Sequence, residues 1–336
     1  MIRDPWTFVS GRAAVLEGEL CTGALFARLL DARGPEGIFG ALGETRLKGI
    51  FGAAEDLAKY DERIADQLLR RIEQMREISP DPRVAELFLI RYDFLSLKAF
   101  LKERLAGLKP VPAREGTGGR SFCVHPEGGW EGVWVMKEEG RGPFTEAVGK
   151  LHEILKRDES AAPAIPAAQA IDLVLDGAYL GDLLARAEAI GSDLVLDHVG
   201  RRVRADAIQV IWRHKALGRP MERLFFNGRL RGEEYADFVK LDPGEYRRLL
   251  AAEYPPAAVE AIWAGADPLG RFGAAVGAYL TGLLDEAKGV VFGPEKLYRY
   301  LWGLEAEAEN LRLLVGGRLN GIEGSELRPR MRGTFA

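Results

Sequence analysis

An all-α fold built from three similar helical units is what this 336-residue chain predicts. Three observations carry that reading. Apolar residues recur every three or four positions along most of the chain, strict period-two alternation is scarce, and one helix-pair pattern occurs three times in order.

The first unit is expected over residues 1–108. In Glu55–Ile78, the residues Leu57, Ala58, Ile64, Ala65, Leu68, Leu69, Ile72 and Met75 fall three and four apart, with charges on the opposite face. That pattern is an amphipathic helix. Arg83–Leu108 has the same period, and Pro80 and Pro82 separate the two helices. The pattern then breaks. Residues 109–143 contain Pro110, Pro112, Pro126, Pro143 and the pairs Gly118-Gly119 and Gly128-Gly129, which predicts a long Gly/Pro-rich loop. Within it Phe122–Met136, with Trp130, Val133, Trp134 and Val135, is the best place for a short hairpin. Its tryptophans serve equally well as interface anchors or as pins to their own domain. A second unit is expected over 144–222 and a third over 223–336, with further loops at Ser160–Pro166 and Glu253–Pro256. The basic last stretch, Ser325–Ala336, is expected to fray.

The repeat has two parts. Gly177-Ala178-Tyr179-Leu180 precedes Leu183-Leu184, and Gly277-Ala278-Tyr279-Leu280 precedes Leu283-Leu284 one hundred residues later. A looser version is Asp61-Glu62-Arg63-Ile64 before Leu68-Leu69. Downstream of each comes an acid, a polar residue three positions on and then an aliphatic. These are Asp93, Ser96 and Leu97; Asp206, Gln209 and Val210; and Glu307, Asn310 and Leu311. Gly107, Gly218 and Gly321 follow as helix ends. An acid at i and a polar residue at i+3 share one side of a helix. Three such acids either converge on a site or each fix one helix crossing. The packing role is favoured, because no His or Cys accompanies them and one acid is Glu where the others are Asp. A catalytic carboxylate must hold its position closely.

Little in the sequence speaks of catalysis. Lys and Arg number 46 and Asp and Glu 50, a net charge of −4 that argues against a general nucleic-acid binder. Cys21 and Cys123 cannot make a disulfide framework or a four-thiolate zinc site, which points to a reduced, intracellular protein. Phosphate-binding glycine loops and the Gly-x-Ser-x-Gly elbow are absent. His152-Glu153 begins a zinc-protease motif but Lys156 stands where the second histidine belongs. His125, His152, His198 and His214 are scattered, and Cys123 beside His125 is the sole hint of a nucleophile. No catalytic, cofactor or metal residues are expected. The basic runs Arg201–Arg204, Trp212–Lys215 and Arg328–Arg332 read mainly as solvated helix ends. Met1–Trp6 puts a charge and a proline where a secretory signal would turn apolar. The longest uncharged stretch, Phe272–Leu284, has thirteen residues with three glycines, short of the roughly 20 that span a bilayer.

Several segments, in order, resemble the C subunit of bacterial and archaeal V/A-type ATP synthases, the counterpart of the d subunit of the eukaryotic vacuolar ATPase. They are Phe8–Glu17, Ala41–Leu47, Arg91–Lys98, Arg223–Leu230 and, best of all, Tyr300–Arg312 with Gly316-Gly317-Arg318. Leu47 stands where tyrosine is usual, Ser96 replaces an asparagine, Arg229 replaces a glycine and Gln209 also departs, so no particular contact is carried onto these side chains. The resemblance implies a non-catalytic funnel of three helical domains with pseudo-threefold symmetry. Its wide end would receive the central shaft, made of the D and F subunits. Its narrow side would rest on the membrane rotor ring of proteolipid subunits, at the cytoplasmic face, without cofactor or nucleic acid. Proton or sodium coupling stays open. The alternative is a helical-repeat scaffold or adaptor unrelated to rotary ATPases.

Overall fold

The computed structural model describes residues 4–43, 45–49, 59–107, 143–158, 166–219, 221–226 and 229–335, and every regular element among them is helical. Residues 109–142, with the expected hairpin, Cys123, His125 and both loop tryptophans, lie outside the described residues, as do 160–165.

The chain opens with α1 (Thr7–Glu17), α2 (Gly23–Asp31) and α3 (Gly34–Gly43). Thr22 starts α2 by accepting the Leu25 N–H at 3.4 Å. The first expected helix pair is α4 (Tyr60–Ile78) and α5 (Arg83–Leu105). Then come α6 (Pro143–Asp158), α7 (Ala167–Ile190) and α8 (Asp193–Ala216). Ser192 both caps α8, accepting the Val195 N–H at 3.3 Å, and donates to Glu295 at 2.6 Å. The short helices α9 (Glu222–Phe225), α10 (Ala236–Lys240), α11 (Tyr246–Glu253) and α12 (Pro256–Trp263) follow. Trp212 near the end of α8 packs its ring against Tyr246, Trp263 and Phe272, at centroid distances of 5.2, 5.7 and 5.9 Å. The last elements are α13 (Pro268–Leu283), α14 (Pro294–Leu319) and α15 (Gly324–Leu327).

Gly107, Gly218 and Gly321, which follow α5, α8 and α14, have φ of 67°, 63° and 75°. An L side chain is strained in that left-handed conformation, so glycine at all three helix ends has one common cause.

The long helices pack in a cycle. α4 lies on α5, α5 on α7, α7 on α8 and α8 on α13, and α14 returns to pack on α4. Thus the second helix of each pair meets the first helix of the next. The third pair is the loosest, since α13 packs mainly on α8 and α12 while α14 packs mainly on α1 and α4. α14 is buried over most of its length, including Arg299, Glu305, Glu307 and Asn310. A helix of such mixed composition can be buried only if its polar groups find partners.

The C-terminal stretch is not frayed. Asn310 donates through Nδ2 to the Arg332 carbonyl at 3.0 Å and accepts the Arg332 N–H at 2.8 Å. Gly333 lies so close to α13 that an added Cβ would sit 2.8 Å from Ala278 Cα. The Arg299 guanidinium stands 3.6 Å from the Phe335 ring centroid. Basic composition suggested fraying, but a buried amide on a distant helix supplies the backbone partners that composition does not show. Asn310→Ala leaves both Arg332 backbone groups unpaired, with an expected loss of about 1–3 kcal/mol in urea unfolding and early cleavage after the terminal arginines under limited trypsin.

Candidate docking cavity

One buried carboxylate sets where the helix pairs meet. Glu305, in the middle of α14, is 3% exposed. Arg202 of α8 approaches it with Nη2 3.2 Å from Oε2, and Arg91 of α5 stands 3.9 Å from Oε1. Burial opposes a charge on Glu305, but Arg202 first and then Arg91 and Arg332 hold its carboxyl below the usual carboxylate range. Arg202 lies 5.4 Å from the Trp302 ring centroid and 5.9 Å from that of Phe88. Burial works against its charge too, and Glu305 overrides it. Arg91 also donates to Glu309 at 3.2 Å, and Arg332 of the C-terminal stretch pairs with the same carboxylate.

His198 belongs to the same junction. Its Nε2 donates to the Leu280 carbonyl at 3.0 Å, so its Nδ1 accepts from the Tyr298 hydroxyl at 2.9 Å. Burial pushes its pKa down to about 4, which keeps the ring neutral. Further ties cross from α5 to α7, with Lys98 bonding Asp176 at 2.5 Å and Lys102 bonding Asp172 at 2.7 Å. Glu86 of α5 receives both Arg76 of α4, at 3.0 Å, and Arg186 of α7, at 2.7 Å.

Above Glu305 the helices leave a cavity of about 760 Å³, lined by α5, α7, α8, α13 and Arg332. One stripe of α8 runs along its wall, with Arg202, Asp206, Gln209, Val210, Arg213 and Leu217 at helical spacing. Asp206 keeps 42% of its side chain accessible, yet protein surrounds it within the concavity. That enclosure raises its pKa, and Arg202, Arg332 and Arg91 pull the other way.

The repeated elements reach three different surroundings. Asp93 is 1% exposed within α5, with Leu97 fully buried and Ser96 half-buried. Asp206, Gln209 and Val210 face the cavity. Glu307 accepts the Cys21 N–H at 2.5 Å and the Arg46 guanidinium, so it holds the turn that leads into α2. Asn310 holds Arg332, and Leu311 is core. The residues that sequence reasoning missed are Glu305, Arg202, Arg91 and Arg332. Arg202 falls in a run read as a solvated helix end, whereas it is 6% exposed and points inward. Arg91 and Glu305 each precede a repeated acid by two positions, a signal legible only once the units are aligned on Asp93 and Glu307.

Among the described residues no group of three His, Cys, Asp or Glu side chains is placed to hold a metal ion, and no helix is long and apolar enough to cross a membrane. The Cys21 thiol is buried, and burial together with Glu307 raises its pKa.

The described body is all-helical and is tied across its helices by ion pairs that border the cavity. The family model described as "ATP synthase (C/AC39) subunit" matches residues 9–330, and the chain belongs to that family of V/A-type ATPase C subunits. It is similar to the C subunit of the V-type sodium ATPase of Enterococcus hirae, 20% identical over 282 residues that cover 82% of this chain and 83% of that protein.

Glu305→Gln strands the Arg202 charge in the core, and chemical denaturation is expected to show a loss of about 3–5 kcal/mol. Arg202→Met with Glu305→Leu, which strands neither charge, is expected to recover most of it. His198 gives the second expectation. As pH falls, the unfolded chain binds its proton near 6.5 while the folded ring resists until about 4. Stability present above pH 6.5 is therefore lost on acidification, by about 2 kcal/mol between pH 7 and pH 5. His198→Gln, less stable at pH 7, is expected to lack that component of the slope when melts are compared across this range.

Proposed function

We propose that the chain is a non-catalytic central-stalk subunit that couples the D–F shaft of a V/A-type rotary ATPase to its membrane proteolipid ring. It docks peripherally on the cytoplasmic face, with the shaft end in the cavity and the opposite side on the ring. The observation that carries this reading is the position of the cavity, walled by α5, α7, α8 and α13 and floored by an ion-pair junction that reaches into α14. A torque-bearing socket must not deform when its occupant turns. The buried Arg202–Glu305 pair between α8 and α14, the Arg91 contacts from α5 and the α4–α5–α7 junction at Glu86 oppose relative sliding of those helices. Close-packed interiors transmit strain rather than absorb it. The family match and the sodium ATPase relative support the assembly, whose coupling ion stays open.

Co-expression with the D–F shaft, followed by size exclusion with light scattering, is expected to give a one-to-one-to-one complex. A chain that stays monomeric with the shaft, and that also ignores ring-containing membranes, overturns the reading.

A further inference from the structure

The charges in the cavity are not evenly satisfied. Along its wall Arg202 and Arg91 face Glu305, Arg332 faces Glu309, and Lys98 faces Asp176. At the end of α8 the situation changes. Arg213 and Arg219 both line the cavity and are exposed, and neither has a carboxylate partner among the described residues. Leu217 lies between them in sequence, one helical turn from Arg213, and is 55% exposed. Leu95 of α5, 47% exposed, lines the same cavity. Large apolar side chains left open beside unpaired cations are what a partner covers when it brings apolar anchors flanked by acids. The volume of about 760 Å³ has room for between one and two turns of a helix about 10 Å across.

We infer that the mouth of this cavity selects an acidic amphipathic helix end on the shaft. Leu95 and Leu217 take its apolar side chains, and Arg213 and Arg219 take carboxylates beside them. Among the described residues neither arginine has a carboxylate partner, so a basic tip is repelled there, and that like-charge repulsion adds specificity to the attraction for an acidic one. This inference rests on the reading that the cavity receives the shaft, and it adds the chemistry of the entering segment.

The test uses the full chain carrying Arg213→Glu and Arg219→Glu together. Both side chains are exposed, so an unchanged thermal melt confirms folding before binding is read. Titration of purified D–F shaft is expected to show Kd rising about tenfold or more, with the salt dependence of the wild-type complex flattened. Arg70→Glu on α4, exposed and away from the cavity, is expected to bind as wild type does. Unchanged affinity and salt dependence in the double variant overturn the inference and leave the socket standing. A second arm is independent of the shaft. It titrates the chain with a 20-residue helical peptide bearing leucines at helical spacing flanked by glutamates, and with its lysine counterpart. Preference for the glutamate peptide, lost in the double variant, supports the acidic-helix chemistry of the mouth even where the shaft fails to bind, in which case the socket reading falls and with it the assignment of that helix to the shaft. No preference between the peptides, in a chain that also ignores the shaft, overturns both.

Discussion

The Glu305 carboxylate is the constraint on which the rest of the body depends. It lies far along the chain from both of its arginines, and each arginine comes from a different helix pair. Desolvating a carboxylate costs several kcal/mol, which is recovered only when its partners sit in good geometry. A helix that slides or rotates at this junction leaves a charge unpaired in the interior. The interaction therefore adds less to net stability than it does to uniqueness of arrangement. An apolar core of the same volume would tolerate small shifts of α8 against α14 at little cost, whereas here such a shift separates Arg202 from Glu305.

Other features follow from it. Because α14 carries Arg299, Glu305, Glu307 and Asn310 on different sides, partners must approach from several directions. Arg299 engages Glu17 of α1 at 3.0 Å and the Leu284 carbonyl at 3.3 Å, Glu307 engages the loop before α2, and Asn310 engages the C-terminal stretch. The terminal segments are thus fastened to the same helix that closes the packing cycle. Arg332 is placed at the cavity by that fastening, so a residue that sequence composition assigned to a loose tail becomes part of the wall.

The α8 stripe links architecture to function. Its inner residues are bound within the chain and its outer residues are not. Arg202 belongs to the core, Asp206 sits enclosed but accessible, and Arg213 and Leu217 are open. A rigid inner wall with an unsatisfied mouth is what the proposed docking role calls for. Preorganisation lowers the cost of ordering side chains on binding.

Much of the fold was legible in the sequence. The three- and four-residue spacing of Ile64, Leu68, Ile72 and Met75 specifies a helix and its buried face by geometry alone. The closing glycines Gly107, Gly218 and Gly321 mark helix ends because only glycine enters the left-handed region without strain. The ordered match across Arg91–Lys98 and Tyr300–Arg312 pointed to the family that the whole-chain comparison shows. What the sequence could not say was which charges turn inward. Arg201 and Arg202 are identical in composition and adjacent, yet one is exposed beside Asp197 and the other is buried against Glu305. Helical periodicity sorts apolar from polar residues, but a buried arginine is stable only if a carboxylate over a hundred residues away arrives beside it. The local pattern determined the helices, and the partnering of distant charges, which exists only in the folded body, decided where they meet and what the cavity presents.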